Sequence, residues 1–330
     1  MMLSSSRFTK KRISLLLAYS LSTLLMIWLS YLLHSLLPGD FVTAMYSTSE
    51  DVALTAAQES ELRAYYSQDT GFVEYLLKLI RLDWGNSYAF LTPVSELFFE
   101  ALPWTLLLLV SANILAALTG FIAGVEAAFR RNSRFERSLV SCGTVLEGLP
   151  EICTGVILLA VFSLYLGWFP AAGAETAYAE LSFQAWLLDV GHHLTLPLAS
   201  LVIAYFPGNF LLTRTSMIMV INQPYIKTAQ AKGLSGLRIR YAHAARNALL
   251  PLVTRFGLRL AFTVTGAFVV ERIHAYPGLG TLLFNAIRLR DLPVIQAIVL
   301  ISSIMVLAMI MLLELVYAYL DPRVQDAYQR

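Results

Sequence analysis

The chain has 330 residues, 57% of them AVILMFWYC and only 14% charged, with a mean hydropathy of +0.64. A soluble domain carries about 25% charged residues, so this chain lacks the charge to cover a soluble surface and is read as a membrane protein. A disordered chain, a collagen-like fibre and a disulfide scaffold are excluded by the same figures, and a net charge of +2 gives no reason to expect a nucleic-acid partner.

A bilayer span needs about 20 mostly apolar residues. Six stretches qualify: Ile13–Leu37, Leu102–Val125, Leu139–Phe169, Leu194–Leu212, Ala248–Val270 and Val294–Leu320. The expected fold class is therefore all-α, a polytopic membrane protein with six transmembrane helices. The apolar run of the first span exceeds the 7–15 residues of a signal-peptide core, and no small-x-small cleavage site follows it. It is read as a retained helix. Cys142 and Cys153, eleven residues apart in the third span, are about 16 Å apart on a helix. That is too far for a disulfide, and they read as buried apolar thiols.

Lysine and arginine set the orientation. With the N-terminus inside, residues 1–12, 129–137, 213–247 and 321–330 carry sixteen of the 24 basic residues, against six for residues 38–101, 170–193 and 271–293. Both termini are expected in the cytoplasm. Residues 38–101 form a long outer segment, weakly helical at Arg63–Ser67 and Phe72–Leu82, with a turn at Asp83–Ser87. Residues 170–193 form a second outer loop. The inner segment 213–247 is polar and basic, with a short helix, a glycine break and a second helix.

Motifs for chemistry are missing. There is no G-x-x-x-x-G-K-[ST], H-E-x-x-H, C-x-x-C or G-x-S-x-G. His192 and His193 point about 100° apart on a helix, which makes a poor metal site; interfacial anchoring suits them better. Gly278-Leu279-Gly280 lacks the third glycine of a dinucleotide fingerprint. Gly120-x-x-x-Gly124 is a helix close-packing signal. No catalytic residue, metal ligand or cofactor site is expected in this chain.

The inner segment is the most informative. It reads Tyr225-Ile226-Lys227-Thr228-Ala229-Gln230-Ala231-Lys232-Gly233-Leu234, continuing to His243, Arg246, Asn247 and Pro251. Small residues at Ala229 and Ala231 would let a partner backbone approach. Gly233 permits the positive φ that ends a helix. Such a short exposed helix between two spans is suited to docking into another protein's groove.

Lys227-Thr228-Ala229-x-x-x-Gly233 resembles the EAA coupling loop of ABC importer permeases, and its surroundings resemble the oligopeptide/dipeptide/nickel branch. Further motifs of that branch follow in order: Leu82-Asp83-Trp84-Gly85-Asn86-Ser87 with Pro93-Val94; Leu166-Gly167-Trp168-Phe169-Pro170; His193-x-x-Leu196-Pro197; Arg214-x-Ser216-Met217; Tyr276-Pro277-Gly278-Leu279-Gly280; Asp291-x-Pro293-Val294-x-Gln296; and Tyr319-x-Asp321-Pro322-Arg323. The resemblance covers almost the whole chain and is nearest to the first permease of such pairs; Arg255-Phe256-Gly257-Leu258 is also similar to the Sap-type peptide permease. Lys227 stands where the classical loop has a glutamate, and Pro251 lies 18 residues after Gly233, both as in the peptide branch.

The resemblance implies a type I ABC importer permease fold, without enzymatic activity, in a bacterial inner membrane. The implied partners are a second homologous permease, two ATPase subunits that bind the ATP and Mg, and a periplasmic solute-binding protein that delivers peptides. Lys227, Thr228, Ala229, Ala231, Gly233 and Leu234 would couple to the ATPases. The implied organisation is an N-terminal helix and outer segment over 1–101, a permease core over 102–323 with the coupling loop at 213–247, and a tail over 324–330. A nickel or metal-chelate importer is the alternative within the family. An ATP-independent secondary transporter is the alternative from another class, and it would need inverted repeats that are not seen.

Charges within spans are costly and usually face a cavity or partner. Glu147 and Glu151 are four apart in the third span and are expected on one helix face, although Gly148 and Pro150 between them would bend or loosen that helix. They are candidates for the solute path, favouring a cationic group such as a peptide amino terminus. Arg255 and Arg259, a second i,i+4 pair, are the candidate partners. A purely structural interhelical ion pair is the competing reading.

Overall fold

A computed structural model describes residues 17–32, 42, 55–66, 71–261 and 268–320. The expected ends of the first span, residues 262–267 of the fifth span, Asp321-Pro322-Arg323 and the tail lie outside the described residues. The described residues are helical, with one isolated β-bridge, Asn86 to Pro93. They fall into two compact units, Met1–Leu102 with Leu282–Met311, and Pro103–Thr281 with Leu312–Arg330.

The helices in chain order are α1 (Leu17–Leu32), α2 (Ala56–Tyr66), α3 (Phe72–Ile80), α4 (Val94–Phe129), α5 (Arg134–Glu147) and α6 (Glu151–Leu158). The last continues as a π-helical segment, Leu159–Tyr165. Then follow α7 (Phe183–Ile221), α8 (Pro224–Ala231), a short turn leading into the π-helical segment Ile239–Ala244, α9 (Ala245–Ala261), α10 (Phe268–Ile273), α11 (Leu279–Leu289) and α12 (Leu292–Leu320).

Among the described residues three helices are long and apolar enough to cross a bilayer alone: α4, α7 and α12; α5 with α6 and its π-helical continuation makes a fourth span if that bent pair is one crossing. Six spans were expected. Parts of the first and fifth expected spans fall outside the described residues, and where helices are described their ends differ from those expected. α7 has 39 residues, about 58 Å at 1.5 Å per residue, because the helix continues beyond the apolar core through Asp189 and His193 at one end and Arg214 and Ser216 at the other. Both flanking loops are correspondingly shorter than hydropathy alone predicts. Ser182 caps its start, accepting from the Ala185 amide.

In the first unit, α1 packs on α3, and Gln296 of α12 donates to the Ser30 carbonyl at 3.2 Å. In the second, α4 lies directly on α7. A Cβ at Gly120 would meet Asn209 Cβ at 2.7 Å, and one at Gly124 would meet Thr213 Cβ at 2.7 Å. The Gly-x-x-x-Gly spacing is a close helix contact, as expected. A core of Leu108, Leu109, Ala112, Leu201, Tyr205, Val270 and Tyr276 forms around it.

Candidate functional site: the docking helix and the charged ladder

Helix α8 begins with Pro224, whose fixed φ suits the first helical position, and runs for eight residues. Ile226 and Ala229, three apart on one face, are buried against Val125 and Ala128 of α4, Met217 of α7, and Ile239, Ala244 and Ala248. The C-terminus closes as a Schellman motif. The Gly233 amide donates to the Gln230 carbonyl at 2.9 Å and the Leu234 amide to the Ala229 carbonyl at 3.4 Å, with Gly233 at φ +71°. Lys227, Thr228, Gln230, Ala231 and Lys232 are exposed. The expectation that Ala229 admits a partner backbone is corrected: its methyl is used by this chain's own core, because an eight-residue helix needs an apolar foot to stay in place. Ala231 is the small residue on the open face.

The segments flanking α8 are anchored by groups that escape motif reading. Asn247 donates to the Tyr225 hydroxyl at 2.6 Å, joining α8 to α9. Arg240 Nη1 donates to both Glu126 carboxylate oxygens at 2.9 and 2.8 Å and its guanidinium lies 4.9 Å from the Phe129 ring centroid. The Tyr241 hydroxyl also donates to Glu126, at 3.1 Å. Desolvation and the Glu126 carboxylate hold that phenol above its ordinary value, so it remains a donor. On the other side, buried Glu136 accepts from Arg214 Nε at 2.9 Å and from the Asn132 amide, while Ser133 caps α5 by accepting from the Glu136 amide. The only signal for Glu126 and Glu136 is that each is an acid in an otherwise basic inner rim.

Glu147 and Glu151 do not share a helix face. α5 ends at Glu147, α6 starts at Glu151, and the two axes meet at 99°. Pro150 precedes α6 with an extended ψ of 145°, which no α-helix accommodates. The predicted loosening is thus a complete break, and the i,i+4 argument fails there. The partnership with α9 does form. Arg255 Nη2 lies 3.7 Å from Glu147 Oε1, and Glu151 is close enough to Arg259 and Tyr205 to interact electrostatically. Both arginines lie against α7. A Cβ at Gly208 would fall 1.9 Å from Arg255 Nη2, so a side chain there would push that guanidinium aside. Arg259 stacks 3.8 Å from the Tyr205 ring centroid. The result is a ladder of two cations on α9 facing two carboxylates that flank a helix break.

Two further carboxylates account for motifs whose purpose the sequence leaves open. Glu271 has no exposed surface. It accepts from the Thr105 hydroxyl at 2.7 Å, the Gly280 amide at 2.7 Å and the Thr281 amide at 3.3 Å. A Cβ at Gly278 would lie 2.3 Å from Glu271 Oε1, and one at Gly280 would lie 2.8 Å from Oε2. The Tyr-Pro-Gly-Leu-Gly motif is a backbone cradle for a buried acid. Asp291, also buried, accepts from the Ser87 hydroxyl at 2.5 Å, the Tyr88 amide at 3.2 Å and the Ala89 amide at 3.1 Å. Two motifs 204 residues apart in sequence are halves of one clamp. Gly85, at φ +75°, turns the chain into it.

His192 hydrogen-bonds the Trp168 carbonyl at 3.0 Å and His193 the Asp189 carbonyl at 2.9 Å, so both anchor the start of α7. Among the described residues no three His, Cys, Asp or Glu side chains gather as metal ligands.

Residues 116–326 match the family described as "Binding-protein-dependent transport system inner membrane component". The chain is 36% identical over 301 residues to the oligopeptide transport system permease protein AppB of Bacillus subtilis (strain 168), covering 90% of this chain and 93% of AppB. It is 32% identical over 313 residues to the dipeptide transport system permease protein DppB of the same organism, covering 93% and 95%. The glutathione transport system permease protein GsiC of Salmonella choleraesuis (strain SC-B67) is 32% identical over 297 residues, covering 90% and 92%. With the family match spanning most of the chain and full-length relatives of this closeness, the chain belongs to the family of inner membrane components of binding-protein-dependent transport systems.

Proposed function

We propose that this chain is the membrane-spanning permease subunit of a binding-protein-dependent ABC importer for peptides, driven by ATP that separate subunits hydrolyse. The observation that carries the reading is α8: its inner face is locked to α4, α7 and α9 while Lys227, Thr228, Gln230 and Ala231 are bare. A rigidly seated helix with a polar, uncovered face transmits force from a partner into the elements it sits on. In this reading Lys227, Thr228 and Ala231 meet the ATPase, while Ala229, Gly233 and Leu234 hold the helix that meets it. The chain itself binds no ATP or Mg and catalyses nothing.

Peptide as the solute is supported by relatives named for oligopeptide, dipeptide and glutathione transport; none of these names favours a nickel or metal-chelate importer. The proposed fold is a type I importer core with six spans and both termini in the cytoplasm, supported by the sixteen-to-six distribution of basic residues. A second homologous permease, two ATPases and a periplasmic binding protein complete the assembly. Glu151 and Glu147 are proposed to line the solute path, with Arg255 and Arg259 balancing their charge when no solute is present.

The test is uptake of labelled peptide into vesicles holding the complete assembly. Peptide entry that needs both ATP and the binding protein is expected. Entry without ATP, or entry of metal chelates that peptides do not inhibit, overturns the reading. For the solute path, Glu151→Gln should slow uptake without lowering thermal stability; unchanged uptake with lowered stability would make the ladder a structural ion pair only.

A further inference from the structure

The nine residues of α3 divide into three faces. At 100° per residue, Val73, Leu77 and Ile80 fall within an arc of about 60°, and they are 70%, 50% and 70% exposed. Glu74 and Lys78 lie together on the next face, paired at 3.1 Å, and the C-capping Arg81 follows on the same side. The third face is anchored to α1. Tyr31 packs on Phe72 and Tyr75 with ring centroids 5.4 and 5.7 Å apart, and the Ser30 and Tyr75 hydroxyls are 3.1 Å apart.

These anchors sit in the last described turn of α1, whose exposed large apolar residues are Leu17, Leu21, Leu24, Leu25, Trp28 and Leu29. In a membrane protein that surface meets lipid. Tyr31 is six residues short of Leu37, the expected outer end of the first span, or about 9 Å along a helix, so α3 is tethered close to the outer boundary of the bilayer core. At about 13 Å, α3 is too short to span a bilayer core of about 30 Å. We propose that α3 lies in the water–lipid interface beside α1, with Val73, Leu77 and Ile80 in the acyl boundary and Lys78 and Arg81 at the level of anionic headgroups. A helix with one apolar and one charged face binds about 5–10 Å deep in that region. An exposed apolar stripe bordered by a charged face is what the boundary between acyl chains and headgroups requires. The proposal goes beyond the import reading and needs neither its solute nor its ATPases.

The test uses the full-length chain, purified with its accompanying subunits, with Cys142 and Cys153 (both free thiols) replaced by alanine. Leu77→Cys and Glu74→Cys are each labelled with an environment-sensitive dye and reconstituted in phosphatidylethanolamine–phosphatidylglycerol vesicles. Both positions are exposed, so neither label disturbs packing. Quenching by lipids spin-labelled near the headgroup should be about threefold stronger at 77 than at 74, with aqueous iodide showing the opposite order, as a single interfacial turn predicts. Iodide quenching at 77 equal to that at 74 would place the stripe in water. Protection of 77 from both quenchers would mean that protein covers it. Either result, or equal lipid quenching at both positions, overturns the proposal.

Discussion

Glu271 and helix α8 carry two of the family motifs, and they use them in opposite ways. Around Glu271, every polar contact is turned inward: a hydroxyl and two amides converge on one carboxylate, and glycines stand where any side chain would collide with it. At α8, Ile226 and Ala229 seat the helix with Leu234 packed beside them, while Lys227, Thr228, Gln230 and Ala231 face outward. Motif residues thus mark both where the chain must hold its own shape and where it must be read by something else. Burial separates the two kinds, and sequence alone cannot.

The comparison is most easily broken at the cradle. Glu271→Ala leaves the Thr105 hydroxyl and the Gly280 and Thr281 amides without their acceptor. At about 1–3 kcal/mol for each buried group left unsatisfied, this should be the largest effect, seen as loss of folded protein in detergent or a strongly lowered melting temperature. A folded, normally stable E271A protein would remove the distinction. Asp291→Ala should be next, costing about 2–3 kcal/mol by the same principle. It should also open residues 82–94 to limited proteolysis while residues 224–234 keep their protection.

Within α8 the two alanines sharpen the contrast. Ala229→Leu overpacks the core beneath the helix and should cost about 1–3 kcal/mol. Ala231→Leu, on the open face, should change stability by less than about 0.5 kcal/mol and yet reduce co-purification of the ATPase. Equal effects of the two on stability would show that the helix has no preferred face. Gly233→Ala should fall between them, at about 1–2 kcal/mol for a non-glycine residue in the left-handed region; its signature is a weakened response of ATP hydrolysis to the binding protein.

Composition and periodicity made the membrane class, the all-helical fold, the short helix before Gly233 and the turn at Asp83–Ser87 legible. These depend on local chemistry: apolar stretches favour lipid, and glycine tolerates positive φ wherever it occurs. Element boundaries were less legible. Hydropathy ends α7 at Leu194 and Leu212, whereas the hydrogen-bonded helix continues to Phe183 and Ile221, because polar residues do not stop a helix that has a cap and a packing surface. The Glu147–Glu151 break shows the reverse case, where an i,i+4 rule presumes a continuous helix and Pro150 removes it.

What the amino-acid order determined by itself was the solvent this chain is built for and the order of its helices, since both follow from interactions between near neighbours and with lipid or water. Tertiary structure alone decided that Asp291 belongs with Ser87, that Arg255 rests over Gly208 and faces Glu147, and that Ala229 looks inward while Ala231 looks out. Those pairings join residues tens to hundreds of positions apart, or depend on which way a helix is rolled. Only the packed chain, which must leave no buried charge without a partner, fixes either.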